Sequence, residues 1–373
     1  MSSRRQKRPE PRIQRSGKRV IVVHRPRRGE VAVVGEQFFI DGRPTYEGVT
    51  WHGHRIEGLL FNARMVQGIF DDLNPTTQSL WAYPDTGVWD ADRNTHEFVA
   101  AMPAWRARGL LAFTVNLQGG SPQGYSADQP WHNSAIDADG SLRSDYMQRL
   151  EQIVGRAAQL GMVVILGLFY FGQEKRLRGE PAIIRAVDNT VDWLFDRDVR
   201  NVLIEVANES GRGYEQPILK PDRIHELIIR VKERVHDGRR FLVSTSCGGD
   251  SPSLLLPHSD VVRASDVLLL HGNNVADPTS LTEFVRTARG IPGYRPMPVV
   301  FNEDDHFDFH MPLNHMAAAT NAYASWGYFD YRMPGEGVED GYQSMPVDWG
   351  INSPRKRAFF AKVAEITRGD AAF

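Results

Sequence analysis

From about residue 60 onward the chain alternates between short, largely apolar runs and longer stretches in which apolar residues recur every three or four positions. The runs fall at Met65 to Phe70, Leu110 to Val115, Met162 to Phe169, Val202 to Val206, Phe241 to Ser244, Val267 to Leu270, Pro298 to Phe301 and Ala322 to Phe329. Several are apolar at nearly every position, the pattern of parallel strands covered on both faces. Helical spacing marks Thr95 to Arg108, Leu142 to Leu160, Pro181 to Phe195, Pro221 to His236, Ser280 to Arg289 and Pro354 to Ile366. Gly109 and Gly161 stand where helices hand over to strands. Eight strands with helices between them predict an α/β protein of the (β/α)8 class, a TIM barrel, rather than a doubly wound sheet.

Ahead of the barrel, Glu30 to Tyr46, with the runs Val31 to Val34 and Phe38 to Ile40 about an Asp41-Gly42 turn, predicts a short N-terminal β-hairpin. Tyr46 to Trp51 competes with Met65 to Phe70 for the first barrel strand, and the latter is preferred. This choice makes residues 71 to 94 a long loop carrying Trp81, Tyr83 and Trp89, read equally as substrate stacking or as packing over the barrel top.

Composition narrows the function. The 373 residues are 41% hydrophobic and 24% charged, which is globular. A single cysteine, Cys247, excludes an internal disulfide framework and a multi-thiolate zinc site within one chain. No run reaches the roughly 18 apolar residues of a membrane span, and a secretion signal is not recognisable, so a cytoplasmic protein is expected. The net charge of −2 hides an asymmetry: residues 1–28 carry 11 Lys/Arg and one acid, leaving 33 basic and 45 acidic side chains beyond them. This basic tail lacks interleaved aromatics and a helical apolar face, so it reads as disordered or extended, ahead of one catalytic domain over 29–373. The acidic remainder argues against nucleic acid as a partner. Neither Gly119-Gly120 nor Gly248-Gly249 has nucleotide-loop spacing.

Chemistry in such a barrel gathers where strands end at the C-terminal face. The second run ends in Asn116 and Gln118, the third in Tyr170 and Gln173, the fourth in Asn208-Glu209, and the sixth in His271 and Asn273. The seventh ends in Asn302-Glu303, followed by Asp304, Asp305 and His306, and the eighth carries Trp326. Carboxylates delivered by strands four and seven would face one another across the mouth. Glycosidic cleavage needs such a pair, one protonating the departing oxygen and one attacking the anomeric carbon when they stand about 5 to 5.5 Å apart. Burial and negative neighbours would keep Glu209 protonated, while hydrogen-bond donors would keep Glu303 ionised.

The run from Val202 to Glu209, with its Asn-Glu pair, resembles the fourth strand of clan A glycoside hydrolases, the retaining barrel enzymes that include the cellulase-like family five. Pro298 to Glu303 resembles their seventh strand. The resemblance implies Glu209 as acid/base, Glu303 as nucleophile, His271 as support for the nucleophile and Trp326 as the floor of the sugar site. By this reading Asn208 binds the sugar 2-hydroxyl, and their places at the strand ends make Asn116, Gln118, Tyr170, Gln173, Asp305 and His306 further candidate substrate contacts. The arginine usual on strand two has no counterpart here, and Arg64, placed before strand one, is the spatial substitute. No cofactor and no metal is implied. The expected partner is an oligosaccharide or small glycoside, with oligomeric state open.

Two other readings remain. A metal-dependent barrel hydrolase is suggested by His52-Gly53-His54, but the fifth run ends in Ser244-Thr245-Ser246 without a histidine and the fourth has no lysine. A non-catalytic carbohydrate-binding barrel would have no use for two matched carboxylates.

Overall fold

A computed structural model describes residues 29–126, 128–248 and 255–370, and the backbone of 12–16 and 19–23. Among the described residues eight parallel strands form the centre. They are β1 (Asn62–Arg64), β2 (Ala112–Asn116), β3 (Val163–Phe169), β4 (Val202–Ala207), β5 (Leu242–Ser244), β6 (Leu268–His271), β7 (Val299–Glu303) and β8 (Gly327–Tyr328). One continuous sheet runs β5-β4-β3-β2-β1-β8, and β6 pairs with β7. Single parallel bridges, Ser246 to Leu269 and both Val300 to Ser325 and Asp304 to Tyr328, join the two pieces into a closed ring. Closure leaves no sheet edge open to water, so polar side chains inside the ring must find partners there.

Eight helices alternate with the strands: α1 (Ala91–Ala107), α2 (Ser144–Leu160), α3 (Glu180–Asp196), α4 (Ile224–Glu233), α5 (Ser259–Ala264), α6 (Pro278–Arg289), α7 (His315–Asn321) and α8 (Pro354–Arg368). Local chemistry sets several ends. Asp90 caps α1 by accepting from the Arg93 amide, and Gly161 closes α2 at φ 65°. The turns α5 and α7 are too short to show a helical period, which is why the sequence pattern passes over them.

The first strand lies earlier than expected. Asn62 to Arg64, not Met65 to Phe70, pairs with β2, Asn62 beside Ala112 and Arg64 beside Thr114. Met65 to Phe70 is apolar because it is buried in a turning segment beneath the first long loop. The eighth strand is likewise shorter than its apolar run, since Ala322 ends α7.

At the N-terminus the first hairpin turns at Gly35-Glu36 and not at Asp41-Gly42: Val31–Val34 and Gln37–Ile40 pair antiparallel, and Asp41-Gly42 then turns the chain into a third strand, Arg43–Pro44. This small sheet drives Phe38, fully buried, into the bottom of the barrel against Leu60, Ile165, Leu203 and Val300. Within the basic tail, Arg12–Ser16 pairs antiparallel with Arg19–Val23. The apolar plug stops partway up. Above it the interior turns polar, with Asn62, Thr114, Glu205 and Asn302 all fully buried.

Candidate active site

Each glutamate is carried by a strand end. Glu303 is the last residue of β7, and Glu209 follows β4 by two positions in a left-handed backbone conformation, φ 50°, a conformation of the kind that concentrates at functional sites. Gly248, after β5, makes room for it: a Cβ there would lie 2.3 Å from Glu209 Oε1. A carboxylate oxygen of Glu209, a ring nitrogen of His271 and a carboxylate oxygen of Glu303 all lie within 4.8 Å of one another. The two acids therefore open into one cleft of about 350 Å3, lined also by Arg64, Tyr125, Tyr170, Phe171, Arg212, Phe329 and Gln343. A larger surface recess of about 610 Å3 between α1 and residues 338–350 contains neither glutamate.

Arg64 organises the floor. It ends β1 rather than preceding it, and its guanidinium is almost wholly buried. Nε lies 2.6 Å from Glu303 Oε2, Nη2 donates to Asn208 Oδ1 at 2.7 Å, and Nη1 stands 4.0 Å from Glu205 Oε2. Asn302 holds the other oxygen of Glu205 at 3.1 Å. Asn273 donates to Glu303 Oε1 at 2.7 Å, so one Glu303 oxygen is hydrogen-bonded and the other is ion-paired to Arg64.

His271 stands nearer Glu209 than Glu303, its Nδ1 being 3.2 Å from Glu209 Oε1 and 3.8 Å from Glu303 Oε2. Burial pushes the Glu209 carboxyl up, but His271, Arg212 and Arg64 outweigh it and hold the carboxyl below its ordinary range. Burial opposes charge on His271 too, and Glu303 and Glu209 outweigh it and raise its proton affinity. The expectation that burial would keep Glu209 protonated is therefore not met: the surrounding cations outweigh burial, and the shifts favour the proton on His271 within the His271–Glu209 pair.

The remaining expected residues divide. Tyr170 lines the cleft, where burial pushes its hydroxyl well up. Asp305 lies at its edge and accepts from the Tyr125 hydroxyl at 3.3 Å. Trp326 does not line the cleft: it is fully buried, edge-on to Phe309, with its indole donating to Asp304 Oδ2 at 2.8 Å. Phe329, directly after β8, lines the cavity in its stead, together with Tyr125, Tyr170 and Phe171. Asn116, the last residue of β2, is buried over Gly167 of β3, Gln118 accepts from the Tyr170 amide, and Gln173 donates to the Trp131 carbonyl, and none of the three lines the cleft. His306 pairs with Asp304 at 2.6 Å and stacks on His315, ring centroids 3.6 Å apart at 8°. Parallel rings so close cannot both direct in-plane lone pairs to one metal about 2 Å away.

The first long loop packs on itself. Trp81 is buried edge-on to Phe70 and Trp131, and the Trp81 and Trp89 indoles bond Asp72 and Asp71. His52 and His54 lie on a separate small hairpin, where Asp370 past α8 accepts from the His52 amide at 2.8 Å. Because α8 runs opposite to the strands, that is the face away from the glutamates.

Tyr125, Arg212, Phe329 and the buried Glu205 have no assigned role in the sequence pattern. Asn273 and Arg212 did leave a signal, sitting two residues after His271 and three after Glu209.

No family model matches this sequence, and no curated protein matches it. Solved structures do. The family 5 glycoside hydrolase of Prevotella bryantii B14 matches at TM-score 0.51 and 12% identity over 82% of this chain and 96% of that one. The endo-1,4-β-mannanase of Rhizomucor miehei matches at TM-score 0.56 and 11% identity, over 91% and 99%. A broad-specificity endoglucanase of Bacteroides salanitronis matches at TM-score 0.54 and 13% identity, over 83% and 94%. The chain shares their barrel fold. At such identities the likeness concerns architecture, and the chemistry rests on the cleft itself.

Proposed function

We propose that the protein is a retaining glycoside hydrolase that cleaves an O-glycosidic bond of an oligosaccharide or small glycoside by double displacement. The observation that carries this reading is the cluster of Glu209, His271 and Glu303 within 4.8 Å at the strand ends, because that proximity suits attack by a carboxylate and leaves no room for the intervening water of an inverting enzyme. The family 5 folds among its structural neighbours support it.

In the first half-reaction a Glu303 oxygen bonds to the anomeric carbon as the glycosidic C–O bond breaks and the departing oxygen takes a proton from Glu209. That proton is the one shared with His271, passed across the 3.2 Å contact. In the second half-reaction Glu209 takes a proton from water, the water oxygen bonds to the anomeric carbon, and Glu303 leaves as carboxylate. Arg64 and Asn273 stabilise that leaving carboxylate through both oxygens. Asn208, its oxygen held by Arg64, keeps its amide hydrogens for the sugar 2-hydroxyl. We further place the enzyme in the cytoplasm, acting on imported fragments.

Proton NMR of aryl glycoside hydrolysis tests the stereochemistry, and mass spectrometry after incubation with 2-deoxy-2-fluoro glycosides tests for a glycosyl ester on the Glu303 peptide. The expected outcomes are retention and a Glu303 adduct, with Glu303→Gln folded but inactive. Inverted product, or wild-type turnover by Glu303→Gln, would overturn the reading.

A further inference from the structure

One aromatic side chain crosses the mouth of the barrel. Tyr125 belongs to the loop between β2 and α2, is 55% exposed, and lines the cleft. Its hydroxyl accepts from Asn273 Nδ2 at 2.6 Å and donates to Asp305 Oδ2 at 3.3 Å, linking its loop to those after β6 and β7. Asn273 uses its other amide hydrogen on Glu303. The ring thus hangs beside the nucleophile.

The wall behind it is built from two loops. Phe329 and Tyr331 meet the Tyr125 ring edge-on, with centroids 5.5 and 5.0 Å away. Met345 donates to the Pro122 carbonyl at 2.7 Å, and Gln343 donates to the Ser121 carbonyl at 3.0 Å. Gly124, at φ 92°, lets the loop lie flat on Tyr331, since a Cβ would stand 2.9 Å from that ring. The β2 and β8 loops are therefore stitched together over β1, closing that side of the cleft.

Chemistry assigns a direction to this closure. The leaving group departs on the side of the acid, Glu209, and the sugar held against Glu303 is the glycone. Tyr125 is tied to the Glu303 side, whereas Phe171 and Arg212, the latter 3.2 Å from Glu209, edge the cleft on the other. A cavity of about 350 Å3 is also near the small end of ligand sites.

We propose that Tyr125 ends the cleft on the glycone side and makes the enzyme act at chain ends, releasing short units and not cutting within a polysaccharide. This inference rests on the glycosidase reading above and names Tyr125 as its specificity-determining residue.

The test follows early products from cellohexaose and mannohexaose labelled at the reducing end, with wild type, Tyr125→Ala and Tyr125→Phe. Wild type should shorten the labelled chain by one or two residues at a time. Tyr125→Phe, which keeps the ring against Phe329 and Tyr331, should retain that ladder. Tyr125→Ala should shift the first labelled products to mid-chain lengths. Mid-chain products from wild type at the outset would overturn the proposal and leave the glycosidase reading standing, as would an unchanged ladder from Tyr125→Ala. Absence of turnover by every variant, on these hexaoses and on aryl glycosides alike, would overturn the glycosidase reading and the proposal with it.

Discussion

Arg64 and Glu303 come from strands separated by β8, yet Nε and Oε2 stand 2.6 Å apart in the barrel interior. The same guanidinium bonds Asn208 and faces Glu205, so one buried cation aligns three acidic or polar side chains. Lysine offers a point charge and cannot span those directions. Arg64→Lys should lower kcat/KM about 10²- to 10³-fold, the scale of losing a positioned electrostatic contact. Arg64→Leu removes the guanidinium that faces Glu205 and pairs with Glu303, and should cost about 3–5 kcal/mol, read from the denaturant midpoint.

The contact between Gly248 and Glu209 has a different signature. A methyl group at Gly248 would lie 2.3 Å from Glu209 Oε1 and push the carboxylate out of line. Displacement of a reacting group by about 1 Å costs on the order of 100-fold in rate. Gly248→Ala should therefore lose activity on this scale while its melting temperature changes little. Near-normal kinetics would show that Glu209 is not the proton donor.

The pH profile reports the shared proton. Glu303 and Glu209 raise the proton affinity of His271, so the alkaline limb of kcat/KM should lie above the ordinary histidine value of about 6.5. In His271→Gln the only remaining proton belongs to Glu209, and the limb should move to lower pH. A limb that stays in place in the variant would separate His271 from the catalytic proton.

Asp305 carries a stability signature. Burial, followed by Asp304, pushes its carboxyl from 3.8 up to about 6. The folded state binds that proton more tightly than the unfolded chain does, so this contribution is full at low pH and is lost as pH rises through about 6. Asp305→Asn cannot ionise and should be more stable than wild type above pH 6, by at most about 3 kcal/mol at 1.36 kcal/mol per unit. The difference should vanish below about pH 4, where the acid is neutral in both states. Parallel melting curves across pH 4 to 8 would contradict this.

Strand and helix order, and the delivery of Glu209 and Glu303 to the ends of β4 and β7, were readable along the chain. Both depend on near neighbours: apolar runs make buried parallel strands, and a polar residue closing such a run sits where the strand leaves the core. Three-dimensional closure decided the rest. Met65 to Phe70 imitates a strand because burial in a turn selects the same residue types as burial in a sheet, and only pairing with β2 puts Arg64 at the strand's end. Trp326 lies where a sugar platform was expected in sequence order, but the direction of its side chain follows from Asp304 and Phe309, both remote from it along the chain. Tyr125 and Asn273 are 148 positions apart and meet only because β2 and β6 belong to one ring. The protonation of Glu209 likewise belongs to the fold, since charge acts through space and His271 and Arg64 reach it from other strands.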